Sequence, residues 1–203
     1  MQLELNKLLE FYKLNKIKIK KFLNSCNNKN DEDLFGELCF CILTPQSKAK
    51  VCRKAVNNLK ADKKLFSANL KELKNYLRGV RFPNVKAQRI IEARKVFPEL
   101  KGVVNSNPEK IREWLIKNVN GLGLKESAHF MRNIGFKGIP IIDKHIQDFL
   151  VKIGKDKGGK INKKRYLELE KKFLELAKEL KIPPEELDIA IWLYESKEKE
   201  FYG

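Results

Sequence analysis

The 203-residue chain carries only two histidines and four cysteines, and the cysteines, Cys26, Cys39, Cys41 and Cys52, all fall in its first quarter with no Cys-x-x-Cys spacing. With no clustered histidine to complete a ligand set, this argues against a metal centre and against a disulfide scaffold. No apolar run approaches the roughly 18 residues that a membrane span needs, which predicts a soluble, intracellular protein of the cytoplasm or nucleoid with no membrane partner. Sustained period-2 alternation is missing as well, so half-buried strands are not expected. Negative charge is also scarce: 26 Asp+Glu face 43 Lys+Arg, a net charge of +17 spread along the chain. Such a field attracts polyanions and makes nucleic acid the first partner to consider, although an A+T-rich genome or a thermophilic origin explains lysine-rich composition equally well.

Apolar material is plentiful. Hydrophobic residues make up 42% of the chain and include 12 Phe, 5 Tyr and 2 Trp, enough for a core in one globular domain or two small lobes. Helical spacing dominates. Leu3, Leu5, Leu8, Leu9, Phe11, Tyr12 and Leu14 predict an apolar stripe on a first helix. A second, buried helix is expected from Asn30 or Asp31 through DLFGELCFCIL, ended by Thr44-Pro45 because the residue before proline avoids the helical region. Further helical patterns recur near 46–59, 69–78, 84–96, 108–118, 124–134, 142–153, 164–181 and 184–195. Gly79, Phe82-Pro83, Pro98, Asn107-Pro108, Gly121 with Gly123, Gly138 to Pro140 and Pro183-Pro184 punctuate them. The predicted fold is all-α, with eight to ten short helices. Val151 to Arg165 carries seven basic residues and one acidic one around three glycines, and reads as an exposed basic loop.

The most informative run is NVNGLGLKESAHFMRNIG, Asn118 to Gly135, which follows the helical segment PEKIREWLIK. A Gly-x-Gly turn between two helical patterns reads as a helix-hairpin-helix. Gly121 and Gly123 let the backbone approach a phosphate, and the first N–H groups of the second helix offer it an anion site without reading a base. A dinucleotide-binding reading fails because no strand precedes the turn and Glu126 stands where a third glycine is required. Lys125 follows in the first turn of the second helix, where the local field disfavours a protonated amine and favours a nucleophile. Asp143, in IPIIDKHI, opens a later helix, where backbone amides stabilise a carboxylate. Taken singly, Lys125 reads as a phosphate contact and Asp143 as a helix cap.

Together, LFGELCFCILT (34–44), NVNGLGLKESAHFMRNIGF (118–136), IIDKHI (141–146), KKRYLELE (163–170) and LDIAIWLY (187–194) resemble the helix-hairpin-helix DNA glycosylases. Within that superfamily the chain is most similar to the 8-oxoguanine DNA glycosylase/lyases of the second, archaeal and bacterial, Ogg type. The resemblance implies a two-lobed helical fold with a DNA-binding cleft between the lobes. Residues 1–25 and 140–203 would form a terminal lobe and 26–139 a helical barrel with the hairpin at about 108–134. It implies a monomer acting on double-stranded DNA that contains a damaged base. Lys125 would attack C1′ and form a Schiff base, and β-elimination would then nick the strand, while Asp143 would stabilise positive charge developing on the sugar and orient the lysine.

The same resemblance assigns further positions. His145 and Arg81 would contact DNA, and Gln46 would plug the gap left by the extruded base. Phe82 would serve as a wedge or a pocket wall, with core packing as the competing reading. Trp192 and Asp188 would line the base pocket, where a packed tryptophan is the simpler alternative. His129, one turn beyond Lys125, reads as a packed residue rather than a catalytic one. Backbone carbonyls of Lys117, Val119 and Leu122 correspond to ligands of a structural K+ or Na+. No other cofactor is implied, because the closely spaced C-terminal cysteines of the iron–sulfur branches are missing. The chain departs from the Ogg pattern at Thr44-Pro45-Gln46, at Val80-Arg81-Phe82-Pro83 and in its tail, LYESKEKEFYG after Trp192. Rival functions are a glycosylase/lyase for another oxidised base or an abasic site, and a non-catalytic hairpin that only clamps phosphate.

Overall fold

In the computed structural model, residues 2–27 and 29–196 are described, and they form ten helices and no strand. These are α1 (Gln2–Ser25), α2 (Asp31–Leu43), α3 (Ala49–Ala61), α4 (Leu70–Tyr76), α5 (Pro83–Val103), α6 (Pro108–Asn118), α7 (Leu124–Asn133), α8 (Lys144–Lys152), α9 (Lys163–Leu180) and α10 (Pro184–Ser196). They divide between two compact units. One holds α2 to α7, residues 29–134; the other holds α1 and α8 to α10, residues 2–27 and 135–196.

In the first unit α2 is the hub. Leu34 through Leu43 are all buried, as a helix apolar on every side demands, and α3, α5 and α7 pack around it. Its start is set by Asn30, whose side chain accepts from Asp33 N at 2.8 Å, with Asp31, Glu32 and Asp33 in the first turn complementing the helix dipole. The one carboxylate in the buried stretch, Glu37, is fully paired. It accepts from Arg53 Nη1 and Nη2 at 2.9 and 2.8 Å and from Asn133 Nδ2 at 3.0 Å, which ties α3 and α7 to α2. The Arg53 guanidinium also lies 3.9 Å from the Phe40 ring centroid.

In the second unit α10 is the hub, in contact with α1, α8 and α9. Tyr12 of α1 donates to Glu186 of α10 at 2.6 Å. The basic loop after α8 is pinned by its single acid: the buried Asp156 carboxylate accepts from both Arg165 and Gly158 N, and from Lys172 Nζ at 2.9 Å. Lys157, Lys160, Lys163 and Lys164 remain exposed around this anchor.

Two expectations are corrected. Pro98 does not break a helix, because α5 continues through it to Val103. Phe97 and Leu100 on either side are buried, and that packing outweighs the single backbone hydrogen bond proline cannot donate. The stripe on α1 is also narrower than its leucines suggest. Leu8, Tyr12 and Ile19 are buried, whereas Leu3 and Leu14 are exposed, since only one side of this helix meets α10.

Candidate active site

The hairpin is built as its sequence requires. Asn107 caps α6 by accepting from Lys110 N at 2.9 Å, and Pro108 occupies the first helical position, where its missing N–H costs nothing. After Asn118 the chain leaves the helix at Val119, and Leu122 N closes the turn onto Val119 O at 3.2 Å. Gly121 sits at φ +97°, a conformation L side chains rarely adopt, and a Cβ there would meet Arg89 Nη1 of α5 at 2.7 Å. Gly123 differs. Its φ of −106° is open to any residue, and its N–H donates to Glu126 Oε2 at 3.2 Å. Glu126 therefore holds one of the amides expected to meet a phosphate, a carboxylate at the positive end of the helix. The pattern Gly-x-x-Glu ahead of an apolar helix was the available signal for it.

Lys125 is the second residue of α7, half-buried, and its amine makes no hydrogen bond or ion pair among the described residues. One turn on, the His129 ring meets the Phe40 ring edge-on, with centroids 5.4 Å apart. Desolvation, and then the cations Arg132, Lys125 and Arg53, push its pKa well below the usual histidine range. His129 is thus a neutral packing residue that, with the Asn133–Glu37 bond, fixes the orientation of α7 on α2.

In the other unit, Asp143 is the N-cap of α8, and its Oδ1 accepts from Ile146 N at 3.0 Å. The second carboxylate oxygen accepts no hydrogen bond among the described residues. Backbone amides leading up to it are held by side chains that sequence reasoning passed over. Glu185 accepts from Gly138 N at 2.9 Å, and the Tyr166 hydroxyl accepts from Ile142 N at 3.3 Å. Asp188 joins them: it is buried and accepts from Ile141 N at 3.2 Å, so in this structure its carboxylate serves the segment before Asp143. Trp192, one turn further along α10, and His145, beside Asp143, are both half-buried. Lys197 to Gly203, most of the altered tail, lie outside the described residues.

Gln46 and Phe82 share an unusual backbone. Both non-glycine residues take positive φ, +58° and +57°, at a cost of about 1–3 kcal/mol each, and both side chains are exposed. At 53% exposure Phe82 is not a core residue, which removes its competing reading. The exposed Arg81 guanidinium lies 5.5 Å from the Phe82 ring. Beside the hairpin, a groove of about 510 Å³ runs along α5 and is lined by Asn84, Gln88, Arg89, Asn120 and Gly121.

The family model of 8-oxoguanine DNA glycosylase matches residues 15–182. The chain is 38% identical over 192 residues to the 8-oxoguanine DNA glycosylase/AP lyase of Fusobacterium nucleatum, covering 89% of this chain and 88% of that one. Its structure is similar to the crystal structure of the 8-oxoguanine DNA glycosylase of Thermotoga maritima, with TM-score 0.89 and 30% identity over 99% of this chain and 100% of that one. It is also similar to the Methanocaldococcus jannaschii 8-oxoguanine glycosylase/lyase in complex with a 15-mer DNA containing 8-oxoguanine. There the TM-score is 0.84 and the identity 30%, over 99% of this chain and 100% of that one.

Proposed function

The chain belongs to the 8-oxoguanine DNA glycosylase family, and from that premise we propose that it excises 8-oxoguanine from double-stranded DNA and nicks the strand as an AP lyase. The observation that carries the mechanism is the unpaired Lys125 amine in the first turn of α7, directly after the hairpin. In its neutral form Lys125 attacks C1′, and the base leaves with the electron pair of the glycosidic bond and takes up a proton. The sugar ring then opens to a protonated Schiff base, which acidifies C2′. Loss of that proton expels the 3′ phosphate, and water releases the lysine. Positive charge accumulates on the sugar while the base departs, and the fixed carboxylate of Asp143 stabilises it electrostatically.

DNA is held at the hairpin turn by Gly121 and by Gly123, whose amide a phosphate takes over from the Glu126 carboxylate, with His145 and Arg81 as side-chain partners, which fix register without reading sequence. Extrusion of the base leaves a gap in the stack that Gln46 and Phe82 fill, while Trp192 belongs to the pocket for the extruded base and the buried Asp188 braces the segment before Asp143. The Lys117, Val119 and Leu122 carbonyls offer neutral oxygen ligands, which suit K+ or Na+. Val119 O already accepts from Leu122 N and keeps a second lone pair for an ion. The working form is a monomer, and among the described residues no helix is long and apolar enough to cross a membrane.

Borohydride trapping tests this reading, on a duplex with 8-oxoguanine opposite cytosine and on one with an abasic site, with Lys125→Gln as control. Trapping on both, lost in the variant, is expected. Trapping on the abasic duplex alone moves the substrate to another lesion, and DNA binding without trapping on either reduces the protein to a phosphate clamp.

A further inference from the structure

Lys86 stands apart from the other lysines. It is on the first turn of α5, only 2% exposed, and no carboxylate pairs with it among the described residues. Its ammonium has three N–H donors and three acceptors: Leu43 O and Pro45 O, each at 2.7 Å, and Ser47 Oγ at 3.0 Å. The two carbonyls lie at and just beyond the C-terminus of α2, where helix carbonyls lack partners and the dipole favours a cation. Burial, with the cations Arg89 and Arg81 and against the Cys52 thiol, lowers the pKa of Lys86. A charge placed here at that cost holds something in position.

What it holds is the pair of strained loops. The acceptors Pro45 and Ser47 flank Gln46 on both sides. Lys86 itself is one turn past Phe82, and its N–H closes onto Phe82 O at 3.1 Å. Ser47 Oγ, besides accepting from Lys86, accepts from Arg81 N at 3.0 Å. Pro45 and Ser47, on either side of Gln46, are thus bonded to Lys86, one turn after Phe82, and Ser47 is bonded also to Arg81, just before it, and both displayed side chains stand on left-handed backbone.

We propose that Lys86, with Ser47 as bridge, is a positioning residue that locks the Gln46 and Phe82 loops into one rigid insertion element, so that the two side chains enter the DNA stack together. This rests on the gap-filling role assigned above to Gln46 and Phe82. Strand insertion tolerates little looseness. A wedge displaced by about 1 Å no longer holds the gap, and such misplacement costs up to about 100-fold in rate.

The test compares wild type, Lys86→Met, Ser47→Ala and the pair Gln46→Ala and Phe82→Ala. Each acts on an 8-oxoguanine duplex carrying 2-aminopurine next to the lesion, and on the same duplex with a preformed abasic site, where no base has to be extruded. Lys86→Met is expected to slow base excision by about 10- to 100-fold and abolish the 2-aminopurine fluorescence rise on binding, with Schiff-base formation on the abasic duplex unchanged. Ser47→Ala, which deletes only the bridge, shifts both readouts in the same direction and serves alone if Lys86→Met does not fold. Equal losses on both duplexes would make Lys86 a purely structural residue and overturn the proposal. A selective loss in the Gln46 and Phe82 variants with Lys86→Met and Ser47→Ala unaffected would overturn the latch alone. No selective loss in Gln46→Ala or Phe82→Ala would instead remove the gap-filling premise, and the proposal with it.

Discussion

The observed cap and the proposed electrostatic role of Asp143 are separated by one pair of substitutions. Its Oδ1 caps α8 by accepting from Ile146 N at 3.0 Å, and its charge is assigned to the reacting sugar. Asparagine keeps an amide oxygen in the same place and ranks with aspartate as a cap. Asp143→Asn therefore loses only the charge–dipole contribution, about 0.3–1 kcal/mol. Alanine removes the acceptor as well and costs a further ~1 kcal/mol. At about 2–4 °C per kcal/mol for a chain of this size, Asp143→Ala melts visibly below Asp143→Asn. Chemistry does not separate the two. Both variants lose the fixed charge, and base excision falls by about 100- to 1,000-fold in each, the scale of removing one preorganised electrostatic group. The assay is single-turnover base release on an 8-oxoguanine duplex beside a thermal melt of each variant. Undiminished base release by Asp143→Asn would refute the electrostatic role, and equal melting of the two variants would refute the cap.

Three further outcomes are expected. Gly121→Ala costs about 1–3 kcal/mol, because φ +97° remains strained even after Arg89 swings away, and it weakens DNA binding; Gly123→Ala, at φ −106° with the nearest atom 3.3 Å off, is milder in both melting and gel-shift assays. The pKa of His129 is depressed in the folded state, so its contribution to stability is complete above the unfolded value of about 6.5 and is lost as pH falls below it, by up to ~1.4 kcal/mol per unit. Denaturation between pH 7.5 and 5 should show this slope, and His129→Leu should flatten it. At Asp156, burial raises the carboxyl pKa, but Lys172, the Gly158 amide and Arg165 outweigh it and leave the pKa lowered. The loop anchor then persists down to below about pH 3.9, and Asp156→Asn, losing about 1–3 kcal/mol of it, should speed proteolysis between residues 154 and 164 at neutral pH.

Much of the helical layout is written locally. Asn30, Asn69 and Asn107 cap the helices they precede, and Pro83, Pro108 and Pro184 open theirs, because caps and proline act within one turn of chain. The hairpin turn and the helix cap at Asp143 were legible for the same reason, each being a short run with its own backbone requirement. Pro98 was misread because a local rule was applied where buried neighbours decide, and Leu3 and Leu14 because periodicity does not reveal how wide a face is covered. Glu126 was read only as the residue missing from a glycine motif, although its spacing from Gly123 fits a reach-back bond.

The amino-acid sequence by itself determined the all-α class, the hairpin turn and the order of the chemical groups along the chain, since helix periods, caps and a glycine at positive φ are properties of a few consecutive residues. Tertiary structure alone decided which lysine of a strongly basic chain is buried: Lys86 looks like any surface cation until the end of α2 arrives with carbonyls that need donors. It also decided that Phe82 faces outward, that Asp188 serves a backbone amide, and that Tyr166 and Glu185 hold the segment before Asp143, because each depends on residues between 24 and 47 positions apart, or on surface left uncovered once helices have packed.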